Sequence, residues 1–173
     1  MKKTFYISIS LVLLVLASCS KTNNATSGGS WTFKSQTYSA SFCSYVLGSV
    51  TASTEGATPA GSLAFYFPDT VPAPGTYTVT NTFSYPLTIA PGQVFVQLTD
   101  TAVNNYYTIS PSVMNGNNIP SVTVTKSSKG FVTITLPPVM MVNVNTTYPN
   151  LPPVGYHTGT DSSMVAGTII QTQ

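Results

Sequence analysis

The sequence predicts an all-β protein, an antiparallel β-sandwich of about 8–10 short strands, with a β-barrel as the runner-up. Three observations carry this. From Trp31 onward, short runs rich in Val, Ile, Thr, Tyr and Phe are separated by clusters of Gly, Pro, Asn and Ser, the punctuation of sheets. Apolar residues alternate in Leu63/Phe65/Phe67, Tyr77/Val79, Val94/Val96/Leu98 and Val122/Val124, so period two places each set on one face of its strand. All 13 prolines lie after residue 58, and proline breaks helix interiors, which leaves little room for a long helix.

In chain order, strands are expected over 31–38, 41–51, 61–67, 75–82, 93–99, 106–109, 121–126, 130–136, 139–144 and 164–171. Pro72-Ala73-Pro74-Gly75 is a rigid lead into the fourth, because each proline fixes φ. Ser127-Ser128-Lys129-Gly130 reads as the turn of a β-hairpin, with Gly130 supplying the left-handed position.

Ahead of the β region, Lys2 and Lys3 precede twelve residues, Phe5 to Leu16, that are apolar but for two serines. A membrane-spanning helix needs about 20 apolar residues, whereas a cleavable secretory signal uses about 7–15. Leu16-Ala17-Ser18-Cys19 closes the run and resembles the bacterial lipobox; an ordinary secretory peptide is the alternative. That resemblance implies three segments: a signal peptide over 1–18, a lipidated Cys19 with a polar tether over 19–30, and a β-sandwich domain over 31–173. Ser20 to Ser30 lacks any large apolar residue and reads as flexible. Its r.m.s. reach of roughly 18 Å keeps the domain close to the membrane.

Signal removal also changes the charge. The whole chain carries six Lys against four acidic residues, but Lys2 and Lys3 leave with the signal, so four Lys face four acids and the net charge is zero. With no arginine and no basic footprint, nucleic acid is excluded as an expected partner. Of the two cysteines, Cys19 is assigned to lipid, which leaves Cys43 without a disulfide partner. Its setting, Phe42-Cys43-Ser44-Tyr45-Val46, is strand-like, and a buried inert thiol is the expectation.

Catalysis needs converging titratable groups, and the mature part offers His157, Glu55, Asp69, Asp100 and Asp161, all read as loop or turn residues. No G-x-S-x-G nucleophile elbow accompanies them. No catalytic residue, metal site or cofactor is therefore expected, and the protein is read as a non-enzyme, with a hydrolase the third choice. Aromatic side chains are the better binding candidates. Tyr106 and Tyr107 are adjacent, so an extended strand points their rings to opposite faces. Tyr148 and Tyr156 flank the loop Pro149-Asn150-Leu151-Pro152-Pro153 and are able to present rings to a glycan or peptide, or to stiffen the loop.

Taken together, Cys19-Ser20-Lys21, Trp31-Thr32-Phe33-Lys34, Leu63 to Phe67, Pro72 to Val79 and Val165 to Ile169 resemble small Bacteroidota lipoproteins that carry a single all-β domain of unknown function. The resemblance implies a lipid-anchored envelope location, at the outer membrane and facing the periplasm, since Ser20-Lys21-Thr22 lacks the acidic run linked to surface export. The cell surface is the other location. It also makes Thr70 and Thr101 candidate O-glycosylation sites, in Asp69-Thr70-Val71 and Asp100-Thr101-Ala102. The expected function is non-catalytic binding of a ligand or partner in the cell envelope. Its alternative is a carbohydrate-recognition accessory of a glycan-uptake system, with a glycan or an envelope protein as partner.

Overall fold

In the computed structural model the described residues are 28–46, 48–68, 71–80, 88–110, 119–144 and 158–172, with the backbone alone over 158–160. Among them there is no helix, and the all-β class holds. Eleven strands form one connected mixed sheet: β1 (Gly29–Phe33), β2 (Gln36–Ser39), β3 (Phe42–Val46), β4 (Ser49–Ser53), β5 (Gly61–Tyr66), β6 (Gly75–Thr80), β7 (Gln93–Asp100), β8 (Asn105–Ile109), β9 (Ser121–Lys126), β10 (Val132–Val144) and β11 (Thr158–Ile170).

The differences from the expected strands have local causes. The run 31–38 divides into β1 and β2 at Lys34-Ser35, a two-residue turn in which both residues take positive φ, 50° and 61°. That is the primed hairpin geometry, usually given to Asn-Gly because ordinary side chains resist it. The apolar phase records the turn: Trp31 and Phe33 are odd, Tyr38 is even, and Trp31 pairs with Tyr38. The run 41–51 divides into β3 and β4, where Cys43 pairs with Ala52. Conversely, 130–136 and 139–144 join into one strand, β10, across Pro137-Pro138. Those prolines sit at a β-bulge, between Leu136 opposite Gly167 and Val139 opposite Val165. On its other edge β10 changes partner there, from β9 (residues 132–135) to β8 (residues 141–144), so the missing N–H groups interrupt no ladder.

Pairing is antiparallel except between β6 and β7, which run parallel and are joined by the long connection 81–92. The predicted β9–β10 hairpin forms: Gly130 has φ 84°, the Gly130 N–H donates to the Ser127 carbonyl at 2.9 Å, and the Ser127 N–H donates to the Phe131 carbonyl at 2.9 Å.

The order β2-β1-β11-β10-β9-β6-β7-β5-β4-β3 ends on strands that are consecutive in sequence. Only Ala40 and Ser41 link β2 to β3, and β8 pairs with both β7 and β10, which makes a ring of five strands, β10-β9-β6-β7-β8, within the sheet. Thr172, just past β11, ties the end of that strand to β3 by donating its N–H to the Cys43 carbonyl at 2.9 Å and accepting the Cys43 N–H on its hydroxyl at 3.1 Å. Two wings of the sheet, β2-β1-β11-β10-β9-β6 and β8-β7-β5-β4-β3, share one core that includes Trp31, Phe33, Leu63, Phe65, Leu98, Tyr107, Ile134, Met141 and Ile169. Contacts cross between them. The Phe33 ring meets Tyr107 edge-on at 4.6 Å, and Tyr38 covers Gly61, where an added Cβ would come within 3.1 Å of the ring. Cys43 is buried and free, as expected, and burial pushes its thiol up to about 12.

The outward face of one wing has a regular composition. Register aligns Ser39, Ser30, Thr168, Thr135, Thr123 and Thr76, one hydroxyl on each of β2, β1, β11, β10, β9 and β6. Alternation explains it, since Tyr38, Trp31, Ile169, Ile134, Leu136, Val122, Val124 and Tyr77, their neighbours in sequence, are buried on the opposite side.

Candidate functional site

Two groupings of side chains stand out. The first is charged. Lys34, held in its positive-φ turn, reaches β11 and β8: its Nζ lies 2.6 Å from Asp161 Oδ2 and 2.9 Å from Tyr107 Oη, while Tyr107 donates its O–H to the same Oδ2 at 2.7 Å. The ammonium also sits 5.3 Å from the Phe33 ring centroid and 5.1 Å from that of Tyr107. The Lys34 N–H donates to Ser163 Oγ at 3.3 Å. Partial burial pulls the Lys34 pKa down, but hydrogen bonds to Asp161 and Tyr107 outweigh it and leave the ammonium above its ordinary range. Bonds from Lys34 and then Tyr107 hold the Asp161 carboxyl below the usual carboxylate range.

Both partners therefore stay ionised at neutral pH. A protonated amine is no nucleophile, and a carboxylate of depressed pKa is a poor base, so the cluster's chemistry is that of a clamp. It fastens the β1–β2 turn to β11 and β8. The side chains are 37% and 42% exposed, so screening limits the pair to about 1 kcal/mol or less. The depressed Asp161 pKa makes that contribution present above the unfolded carboxylate value and lost as pH falls through the folded one. Asp161→Asn is expected to reduce Tm slightly at pH 7 and to leave it unchanged below the folded carboxyl's pKa. Thermal melts of both proteins across acid pH check this, and equal differences at every pH would contradict it.

The second grouping is uncharged and lies on the face of β5, β7 and β8 turned away from Leu63, Phe65, Leu98 and Tyr107, with Ala64, Phe95 and Thr108 themselves buried. Ser62, Ala64 and Tyr66 on β5, Phe95, Gln97 and Thr99 on β7, and Tyr106 and Thr108 on β8 share this face by alternation and register. Gln97 is opposite Ala64 on one side and Thr108 on the other. Tyr66 donates its O–H to Gln97 Oε1 at 3.1 Å and tilts over Phe95 with ring centroids 5.9 Å apart. Burial raises the Tyr66 phenol pKa, so it remains a neutral donor. Tyr66, Gln97 and Tyr106 are half-buried. Beneath them Thr108 is 3% exposed, and its Oγ1 is buried without a hydrogen-bond partner among the described residues. Leaving a buried hydroxyl unpaired costs about 1–3 kcal/mol.

The sequence-predicted residues distribute as follows. Tyr106 faces outward at this site. Tyr107 is fully buried, so it is a core ring whose hydroxyl serves the clamp rather than a ligand-facing aromatic. Thr101 is exposed in the turn after β7, where Asp100 Oδ1 accepts the Ala102 N–H at 3.2 Å. Cys19, Thr70, Tyr148, Tyr156 and His157 lie outside the described residues. Of the expected turn acids, Asp100 ends β7 and Asp161 lies within β11. Among the described residues, no three His, Cys, Asp or Glu side chains converge on a metal-sized site. Sequence reasoning missed Lys34–Asp161, separated by 127 positions, and the trio Tyr66, Gln97 and Thr108. The phase slip between Phe33 and Tyr38 was the available signal for the first.

Comparison with protein-family models, curated proteins and solved structures found no match for this chain.

Proposed function

We propose that this protein is a lipid-anchored envelope lipoprotein that works by binding rather than catalysis, with carbohydrate as the favoured ligand class. The lipobox ending in Cys19 and the polar run that separates it from β1 support the anchoring. The observation that carries the binding reading is the charge-free face of β5, β7 and β8 on which Gln97 lies between the strands that carry the half-buried Tyr66 and Tyr106. Half-buried aromatic rings beside an amide suit a neutral polyhydroxylated ligand: the ring covers C–H faces while the amide exchanges hydrogen bonds with hydroxyls. The four Lys and four acids of residues 19–173 leave no excess charge to collect an ionic partner.

Presenting the detergent-solubilised full chain to an array of neutral and charged oligosaccharides tests this. Binding to neutral members is expected, with their masses unchanged after incubation and with Gln97→Ala reducing the signal. A blank array would overturn the carbohydrate reading, and cleaved oligosaccharides would overturn the non-catalytic one.

A further inference from the structure

The Thr108 hydroxyl has no hydrogen-bond partner among the described residues. In its own strand Tyr107 and Ile109 point to the core, and Thr108 points the opposite way, between Gln97 of β7 and Val142 of β10. A valine has nearly the same shape, suits a strand equally well, and carries no hydroxyl to leave unpaired. Gln97 beside it commits Oε1 to the Tyr66 O–H, which leaves the amide nitrogen as its donor. The position therefore sets a hydroxyl, both donor and acceptor, next to an amide donor. Tyr106 stands two residues along the same strand, on the same face.

Resting on the carbohydrate reading above, we infer that Thr108 is the polar anchor of a subsite for one neutral sugar ring, held between Gln97 and Tyr106. A pair of neighbouring sugar hydroxyls matches the donor–acceptor set: one accepts from the Gln97 amide, the other exchanges a hydrogen bond with Thr108 Oγ1. The ring's C–H face lies against Tyr106. An acidic sugar is disfavoured, because no side chain of Ser62, Ala64, Tyr66, Phe95, Gln97, Thr99, Tyr106 or Thr108 supplies a countercharge. The Thr108 hydroxyl is closed to solvent in this structure, so binding involves a shift of the side chains around it.

The test measures affinity and Tm together, on the full chain in detergent, with neutral cello-, xylo- and manno-oligosaccharides and with oligogalacturonate as the charged comparison. Thr108→Val is expected to weaken neutral-sugar binding at least tenfold while raising Tm by about 2–4 °C. Thr108→Ser keeps the hydroxyl and is expected to bind within about threefold of wild type. Unchanged affinity in Thr108→Val would overturn the anchor, and so would a Tm loss in that variant without loss of binding, which marks the hydroxyl as structural. Equal binding of oligogalacturonate would overturn the neutral-ligand assignment. If Thr108→Val binds normally while Gln97→Ala does not, the anchor fails and the binding function stands. If wild type binds no oligosaccharide, both fail together.

Discussion

Gly167→Ala is expected to lower the melting temperature by roughly 6–12 °C, or about 3 kcal/mol for a domain of this size. Gly167 lies at the middle of the sheet, paired with Trp31 of β1 on one side and Leu136 of β10 on the other. A Cβ there would sit 2.5 Å from the Ser30 carbonyl oxygen and 2.6 Å from both Cα and Cβ of Trp31. The first two obstacles are backbone, which cannot swing aside as a long side chain can. Relief requires β1 to move away from β11, and β1 carries Trp31 and Phe33 into the core. Trp31 in turn stacks on Tyr38 at 5.3 Å, so the strain spreads to β2. Gly56→Ala is the informative comparison. An added Cβ meets nothing within 4 Å there, and its φ of 72° leaves only left-handed backbone strain of about 1–2 kcal/mol. Thermal melts followed by circular dichroism rank the two, and a Gly167→Ala protein no less stable than Gly56→Ala would refute the close-packing argument.

The other large effect concerns location. Cys19→Ser removes the sulfur that would carry lipid, and membrane attachment should be lost almost completely. Each buried CH₂ contributes about 0.8 kcal/mol, so several acyl chains hold a protein far more firmly than a polar tether. Cell fractionation and incorporation of a clickable palmitate analogue read the outcome, with intact mass separating processed protein from precursor that retains residues 1–18. Labelled wild type in the membrane and unlabelled variant in the soluble fraction is the expected pair of results. Label that persists in Cys19→Ser would place the lipid elsewhere.

Much of the β pattern was legible because alternation is a local signal. Val94, Val96 and Leu98 declare one buried face without reference to any partner strand. The hairpin at Lys34-Ser35 was hidden because its residues lack the Gly or Asn that such geometry favours, and the odd-to-even slip between Phe33 and Tyr38 was the trace it left. Pro137-Pro138 hid the continuity of β10 for the opposite reason: prolines read as a break are tolerated at a bulge where one edge changes partners. The candidate site was less legible. Adjacency of Tyr106 and Tyr107 tells that one ring faces outward, but which one depends on where β8 docks. The pairing of Gln97 with Thr108 depends on the four-residue turn from Thr101 to Asn104, and that of Tyr66 with Phe95 on β5 docking beside β7. Local periodicity carries no such long-range register.

The row of Ser39, Ser30, Thr168, Thr135, Thr123 and Thr76 gives this molecule a surface whose affinity for water does not depend on ions. Most proteins stay dispersed through charge, and their encounters speed up or slow down with ionic strength. With hydroxyls in that role and zero net charge over residues 19–173, long-range fields neither draw partners in nor repel neighbours. A partner meets this face by diffusion and contact alone, and identical copies crowded together experience no mutual electrostatic pressure.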